Sequence, residues 1–211
     1  ISQFRNVAIY EANPSLSVAE GSSITITNSN LNAFDTDDAP SGLTYTASNL
    51  TNGHIEVSGV TQNTFTQADI NAGNVSFVHD GSETLVASFD ISLADGGENG
   101  ALADTATINL TVTAVNEAPF ITGDLSITMN EGSSATITAA DLGFTDSDDI
   151  ATGVTYTASN LSNGHIEVGG VTQNTFTADD INNSRVAFIH DGSETIAAGF
   201  NISLADGGEN G

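Results

Sequence analysis

The chain repeats itself. Residues 43–100 can be laid on residues 154–211 at a constant offset of 111, without a gap, and 44 of the 58 aligned positions are identical. A repeat of roughly 20–50 residues would mean a solenoid whose units need neighbours to complete a core. A period of 111 residues is instead the size of an independently folding domain. The 211 residues therefore read as two domains, residues 1–116 and residues 117–211.

Inside each copy the apolar residues lie two apart. In the first copy this holds over residues 24–27, 43–46, 54–57, 75–78, 89–93 and 107–112, with β-branched Thr, Val and Ile filling the positions. Turn formers separate the segments, as at Asn52-Gly53, Asp80-Gly81 and Asp95-Gly96-Gly97. Short strands so punctuated predict an all-β fold: two tandem Greek-key β-sandwich domains of Ig-like type arranged end to end. One helical turn is expected at residues 66–72, where Thr66 is placed to cap and Asp69 sits three residues on; Thr177 and Asp180 repeat the pattern. Phe65, Phe77 and Phe89, with Phe176, Phe188 and Phe200, fall on the apolar face and are expected in the cores.

The boundary is set at Val115-Asn116-Glu117-Ala118-Pro119, because proline cannot donate to a strand ladder, and the next copy is expected to begin at residues 124–127. Copy one closes with a strand at residues 106–114, whereas copy two reaches Gly211 where that strand would start. An unpaired edge is expected there. Continuation of the chain is the favoured source of the strand. The alternative is donation by another chain into a filament, with residues 1–10 (Ile1, Phe4, Val7, Ile9) as donor unless they complete copy one or link to a domain before it.

Two Lys+Arg against 27 Asp+Glu leave a net charge of −25, and lysine is absent. Nucleic acid needs clustered cations to neutralise its phosphates and is excluded as a partner. Anionic membrane surfaces are disfavoured for the same reason, and no apolar run is long enough to span a bilayer. So large a negative charge repels itself unless divalent cations or a salty medium screen it. Disorder is countered by 38% hydrophobic residues in an alternating pattern. No cysteine is present, so disulfides and thiolate metal sites are ruled out. A cysteine-free module rich in Thr, Asn and Gly leans towards a bacterial surface protein, and seawater is a salty medium that would suit its charge.

The acids are grouped between strands. Each copy carries Glu-Gly-Ser-Ser (from Glu20 and Glu131) and an acidic cluster (Asp35, Asp37, Asp38; Asp146, Asp148, Asp149). His-Asp-Gly-Ser-Glu (to Glu83 and Glu194) and Ala-Asp-Gly-Gly-Glu (around Asp95 and Asp206) follow. Calcium takes six to eight oxygens from such loops, and crowded carboxylates without a cation would repel one another. Bound calcium is the economical reading; solvated turns are the plainer alternative.

One phrase is more specific. Phe65-Thr66-Gln67, Asp69-Ile70-Asn71, Val78-His79-Asp80-Gly81-Ser82-Glu83-Thr84 and Asp95-Gly96 together resemble the chondroitin sulfate proteoglycan (CSPG) repeat, a cadherin-like module of large bacterial surface proteins. Copy two departs at Ala178, which stands where copy one has Gln67. The looser likeness to cadherins implies calcium between consecutive domains. The matching residues would be Glu20, Glu83, Asn116, Glu117, Asp146, Asp148 and Asp206, with Asp35, Asp37 and Asp95 serving a junction with a preceding domain. The linker has fewer acids than the cadherin linker, so one or two ions are expected rather than three.

Enzymatic readings find little support. His54 and Glu56 share one strand face, which allows a zinc site or a dyad, and His79 reads better as a structural residue orienting the Asp80-Gly81 loop. Asp80 and Glu83 could be drawn as a glycosidase pair, but tryptophan is absent and aromatics are 6%. The expected role is a calcium-stiffened structural or adhesive stalk segment at the cell surface, with neighbouring repeats as first partners. Binding of a polysaccharide, a partner protein or other copies of the chain is the rival, with the loops at residues 49–53 and 59–63 as contact surfaces.

Overall fold

The computed structural model describes residues 8–10 (backbone only), 16–35, 38–95 and 104–208. The chain divides into two units, Ile1–Val115 and Asn116–Gly211, each with its own hydrophobic core.

In the first unit the strands are β1 (Ala8–Tyr10), β2 (Leu16–Ala19), β3 (Ser23–Thr25), β4 (Asn32–Phe34), β5 (Thr44–Thr51) and β6 (Gly53–Val57). There follow β7 (Val60–Thr61), β8 (Thr64–Thr66), the turn α1 (Gln67–Asn71), β9 (Val75–His79), β10 (Val86–Ala94) and β11 (Asp104–Thr113). One sheet runs β2-β11-β10-β5-β8 and the other β3-β9-β6-β7, with β1-β4 as a short separate pair. The one parallel pairing described is β11 with β2.

Burial alternates strictly along β9 and β10, as period-two strands packed on one face require. Their inner faces meet where Phe77 of β9 stacks on Phe89 of β10, ring centroids 5.9 Å apart. Each such ring, fully buried, contributes roughly 1.5–3 kcal/mol relative to exposure. Gly53 opens β6 because a Cβ there would collide with the Phe77 ring and the Val78 carbonyl. The expected loop at residues 59–63 is partly a hairpin: Ser58 and Gly59, both at positive φ, turn β6 into β7.

The second unit comprises β12 (Phe120–Thr122), β13 (Ser134–Thr136), β14 (Gly143–Thr145), β15 (Thr155–Ser162), β16 (Gly164–Val168) and β17 (Val171–Thr172). It continues with β18 (Thr175–Thr177), the turn α2 (Ala178–Asn182), β19 (Val186–His190) and β20 (Gly199–Ala205). Its sheets run β13-β19-β16-β17 and β18-β15-β20, with β12-β14 apart. The all-β, two-domain sandwich expected from the sequence is therefore the fold.

Two local expectations change and one open alternative is narrowed. The second unit's first strand is β12, not residues 124–127, which form no strand. Ala8–Tyr10 pairs with Asn32–Phe34 of its own unit, the completing alternative for those three residues; Ile1, Phe4 and Val7 lie outside the described residues. Phe200 is only half-buried although its counterpart Phe89 is 1% exposed. Both helical turns form as expected, with Thr66 and Thr177 in reciprocal capping boxes with Asp69 and Asp180.

Candidate metal centre

In the second unit β14 ends at Thr145 and delivers Asp146 directly after it. The Asp146 Oδ1 accepts the backbone N–H groups of Asp148 and Asp149, each at 2.8 Å, which folds the acidic cluster into an Asx turn. Asp206 follows the end of β20, and its Oδ1 accepts the Gly208 N–H at 3.2 Å. From the start of the unit, the Asn116 side-chain amide donates to Asp206 Oδ2 at 3.4 Å. The Glu117 N–H donates to Asp148 Oδ2 at 2.7 Å, and the Ser147 hydroxyl donates to Glu117 Oε2 at 3.3 Å. Asn116, Glu117, Asp146, Asp148 and Asp206 thus come together, joined by Asp149.

Three oxygens of this set are buried without a hydrogen-bond partner: Asp146 Oδ2, Asp148 Oδ1 and Asp149 Oδ2. Buried carboxylate oxygens without donors are costly. The strain shows in Asp149, whose pKa is raised above the usual carboxylate range by desolvation and then by the charges of Asp146, Asp206 and Asp148. Arg185, the one Lys or Arg among the described residues, is engaged with Asp179 at 3.0 Å and Asp180 at 3.3 Å. A hard divalent cation fits this donor set: anionic oxygens, no thiolate, no competing side-chain cation.

The first unit builds the equivalent cluster from Asp35, after β4, and Asp95, after β10, both buried. Their carboxylate oxygens and that of Asp38 all lie within 4.8 Å of one another. Asp37, the expected ligand, lies outside the described residues. Asp38 and Asp149 are the members that the sequence reading left out of the ligand set; the signal was their adjacency to the cluster, and the turn supplies the rest.

Glu20 and Glu83 belong to the first unit. Glu20 is buried, its Oε2 accepts the Val115 N–H at 3.5 Å, and its Oε1 has no donor. Its counterpart Glu131 is exposed. Glu83 is exposed on the loop that follows β9.

His79 positions both of these loops. It is 3% exposed, and its Nδ1 accepts the N–H of Gly21, beside Glu20, at 3.3 Å and that of Gly81 at 3.2 Å. Nδ1 as a double acceptor places the ring proton on Nε2, which faces Thr84 Oγ1 at 3.3 Å. Gly21 and Gly81, at φ +58° and +78°, hold the turns that aim these N–H groups. His190 repeats the arrangement with Gly132 and Gly192 at 3.2 and 3.1 Å. His54 meets only Glu56, at 3.4 Å on a partly exposed face, and no third metal-ligating group joins the pair among the described residues.

Comparison with known proteins adds an independent line. The family model described as cadherin-like matches residues 9–112 and 119–211. The extracellular matrix organizing protein FRAS1 of Homo sapiens is 31% identical over 222 aligned positions, covering 98% of this chain and 5% of that protein. Chondroitin sulfate proteoglycan 4 of Homo sapiens is 34% identical over 137 positions, covering 63% of this chain and 6% of that protein. The chain therefore spans about a twentieth of these relatives' length. Among solved structures, the human desmocollin-1 ectodomain aligns at a TM-score of 0.41 and 13% identity, over 95% of this chain and 38% of that one.

Proposed function

The chain belongs to the cadherin-like family, as two tandem copies of its module, and on that premise we propose that it is a structural or adhesive segment of a large extracellular protein, stiffened by calcium. The observation that carries the metal reading is the trio of buried, donorless carboxylate oxygens on Asp146, Asp148 and Asp149. In a chain of net charge −25 the economical partner for such oxygens is a divalent cation. The relatives' printed names, an extracellular matrix protein and a proteoglycan, support the extracellular setting, and no helix among the described residues is long and apolar enough to cross a membrane.

Each residue has a task in this reading. Asp146, Asp148, Asp149 and Asp206 supply anionic oxygens, Asn116 and Glu117 orient two of those carboxylates by hydrogen bonds, and Asp35, Asp38 and Asp95 repeat the set in the first unit. Bound calcium would supply the positive charge that lets these oxygens approach without repulsion. We extend the proposal to the junction: Glu20 and Glu83 complete the coordination between consecutive modules, as the cadherin likeness implies, and neighbouring modules are the first partners. Affinity in the range of about 10⁻⁴–10⁻³ M is usual for extracellular modules, giving occupancy outside a cell and loss of the ion inside one.

Calorimetry with calcium on the chelator-treated chain tests the binding, and small-angle scattering with and without chelator tests the stiffening. Binding enthalpy together with a longer maximum dimension in calcium is the expected pair of results. No heat at millimolar calcium sinks the metal reading; binding with an unchanged dimension sinks the stiffening.

A further inference from the structure

We propose that His54 and Glu56 form a zinc site on the outer face of the first unit, and that His165 and Glu167 repeat it on the second. The pairs lie on β6 and β16, Gly53–Val57 and Gly164–Val168. Strand alternation turns Ile55 and Ile166 into the cores, each at 0% exposure, and sends the histidine and glutamate of each strand together to the opposite face. The separations between histidine Nε2 and glutamate Oε1 are 3.4 Å and 3.3 Å. That is wide for an N–H···O hydrogen bond, which runs about 2.7–3.2 Å. It is the spacing that a tetrahedral ion imposes: a nitrogen and an oxygen each about 2.1 Å from zinc stand about 3.4 Å apart. The donors are thus already set at the bite of the ion. Side-chain exposures of 39% and 30%, repeated as 40% and 31%, leave the ion a way in.

The chain has four histidines, and the other two are spent. His79 and His190 are buried, and the Nδ1 of each accepts two backbone N–H groups. His54 and His165 are therefore the accessible imidazoles. Their surroundings carry no charge. Across β9, Val78 lies opposite His54 and Ser76 opposite Glu56, and Thr61 of β7 lies opposite Glu56 on its other side. Ile189, Ala187 and Thr172 take these places in the second unit. The spacing persists although two of the three neighbours differ, so it belongs to the His-x-Glu strand itself.

Ion choice follows from the donors. Calcium takes six to eight oxygens and finds one carboxylate here. Zinc takes imidazole nitrogen together with carboxylate oxygen. The acidic clusters have the opposite make-up, carboxylates without an imidazole, so the two kinds of site would sort two kinds of ion. This inference does not rest on the calcium reading. Two protein ligands leave coordination positions for water, which makes the site one for exchangeable zinc rather than a closed structural centre.

The test titrates zinc chloride into the full 211-residue chain in millimolar calcium, so that zinc must compete for any carboxylate cluster. Calorimetry should give two zinc ions per chain, and the imidazole proton resonances of His54 and His165 should shift while those of His79 and His190 stay. His54→Gln combined with His165→Gln should weaken binding by about tenfold or more, because even a change behind a ligand costs that much. Glu56→Gln combined with Glu167→Gln keeps both shapes and should weaken binding as well. The proposal is overturned by an absence of zinc binding, by shifts confined to His79 and His190, or by binding that the histidine variants leave intact, which would place the ion on the carboxylate clusters. A zinc-dependent dimer in sedimentation overturns the water-completed site in favour of one shared between copies.

Discussion

The Tyr45 hydroxyl donates to Gln67 Oε1 at 2.7 Å in the core of the first unit, and Gln67 also accepts the Ala33 N–H at 2.7 Å. Its amide nitrogen reaches Asn28 and Asn71, at 2.9 and 3.0 Å, so one buried glutamine joins α1 to three other segments. Ala178 stands at this position in the second unit, and the buried Tyr156 hydroxyl has no partner. Burial pushes the Tyr156 hydroxyl up to about 12 and the Tyr45 hydroxyl further. The same substitution should therefore act with opposite sign in the two copies. Tyr45→Phe is expected to destabilise by about 1 kcal/mol, whereas Tyr156→Phe should be neutral or stabilising, because the phenylalanine removes an unsatisfied group. Denaturant unfolding of the two variants reads the difference.

Asp149 separates charge repulsion from fold stability. In chelator, Asp149→Asn should leave the second unit's stability unchanged or raise it, because it removes a carboxylate crowded by Asp146, Asp206 and Asp148. In calcium the same variant should lose stability relative to the parent chain. At a hundredfold excess over Kd the ion adds about 2.7 kcal/mol, or on the order of 10–20 °C in Tm for a unit of this size. Calorimetric scans in both media check the reversal.

Acid titration should show two opposed contributions. Asp180 is held below the usual range, first by the Thr177 N–H and also by its hydroxyl and Arg185, and Asp191 by the hydroxyl and N–H of Ser193. Their stabilisation is fully present above the unfolded carboxylate pKa, near 3.9, and is lost as pH falls through the lower folded value. Asp149 works the other way: ionising it in the folded chain costs stability, which is lost as pH rises from the unfolded pKa through the raised folded one. Without calcium, stability against pH should therefore rise more steeply at the acid end in Asp149→Asn than in the parent chain. Asp180→Asn should flatten it.

His79→Ala leaves the Gly21 and Gly81 N–H groups without their acceptor. An expected loss of about 1–3 kcal/mol should be partly recovered by His79→Asn, whose side-chain oxygen can stand near the Nδ1 position. Chemical denaturation together with amide shifts at Gly21 and Gly81 distinguishes recovery of the two bonds from general repacking.

Gly53→Ala places a Cβ against the Phe77 ring and the Val78 carbonyl. Overpacking of this kind costs about 1–3 kcal/mol, and thermal unfolding should report it in the first unit. Gly59→Ala meets no neighbouring atom, and its strain comes from φ +78° alone.

Local and repeated features were legible in the sequence. Alternation located β5, β6, β9, β10 and β11, and the Thr66–Asp69 spacing located α1, because each depends on residues a few positions apart. β2 was not, since Leu16-Ser17-Val18 is a brief alternation that becomes a strand only by pairing with β11. The acidic clusters were visible as metal candidates, but which aspartates converge was decided by the turn that Asp146 Oδ1 imposes on residues 148 and 149. Whether a tolerated change such as Gln67 to Ala178 orphans a tyrosine depends on a tertiary reach that no spacing encodes.

The parallel pairing of Leu110 with Leu16 also fixes a timetable. A contact between the two extremes of a module has a large loop-closure entropy and slows folding. A ribosome or a secretion channel releasing this polypeptide would have to deliver nearly the whole first module before β11 could seat beside β2. Until β11 arrives the nascent module would leave one edge of β10 unpaired and open to mispairing during emergence.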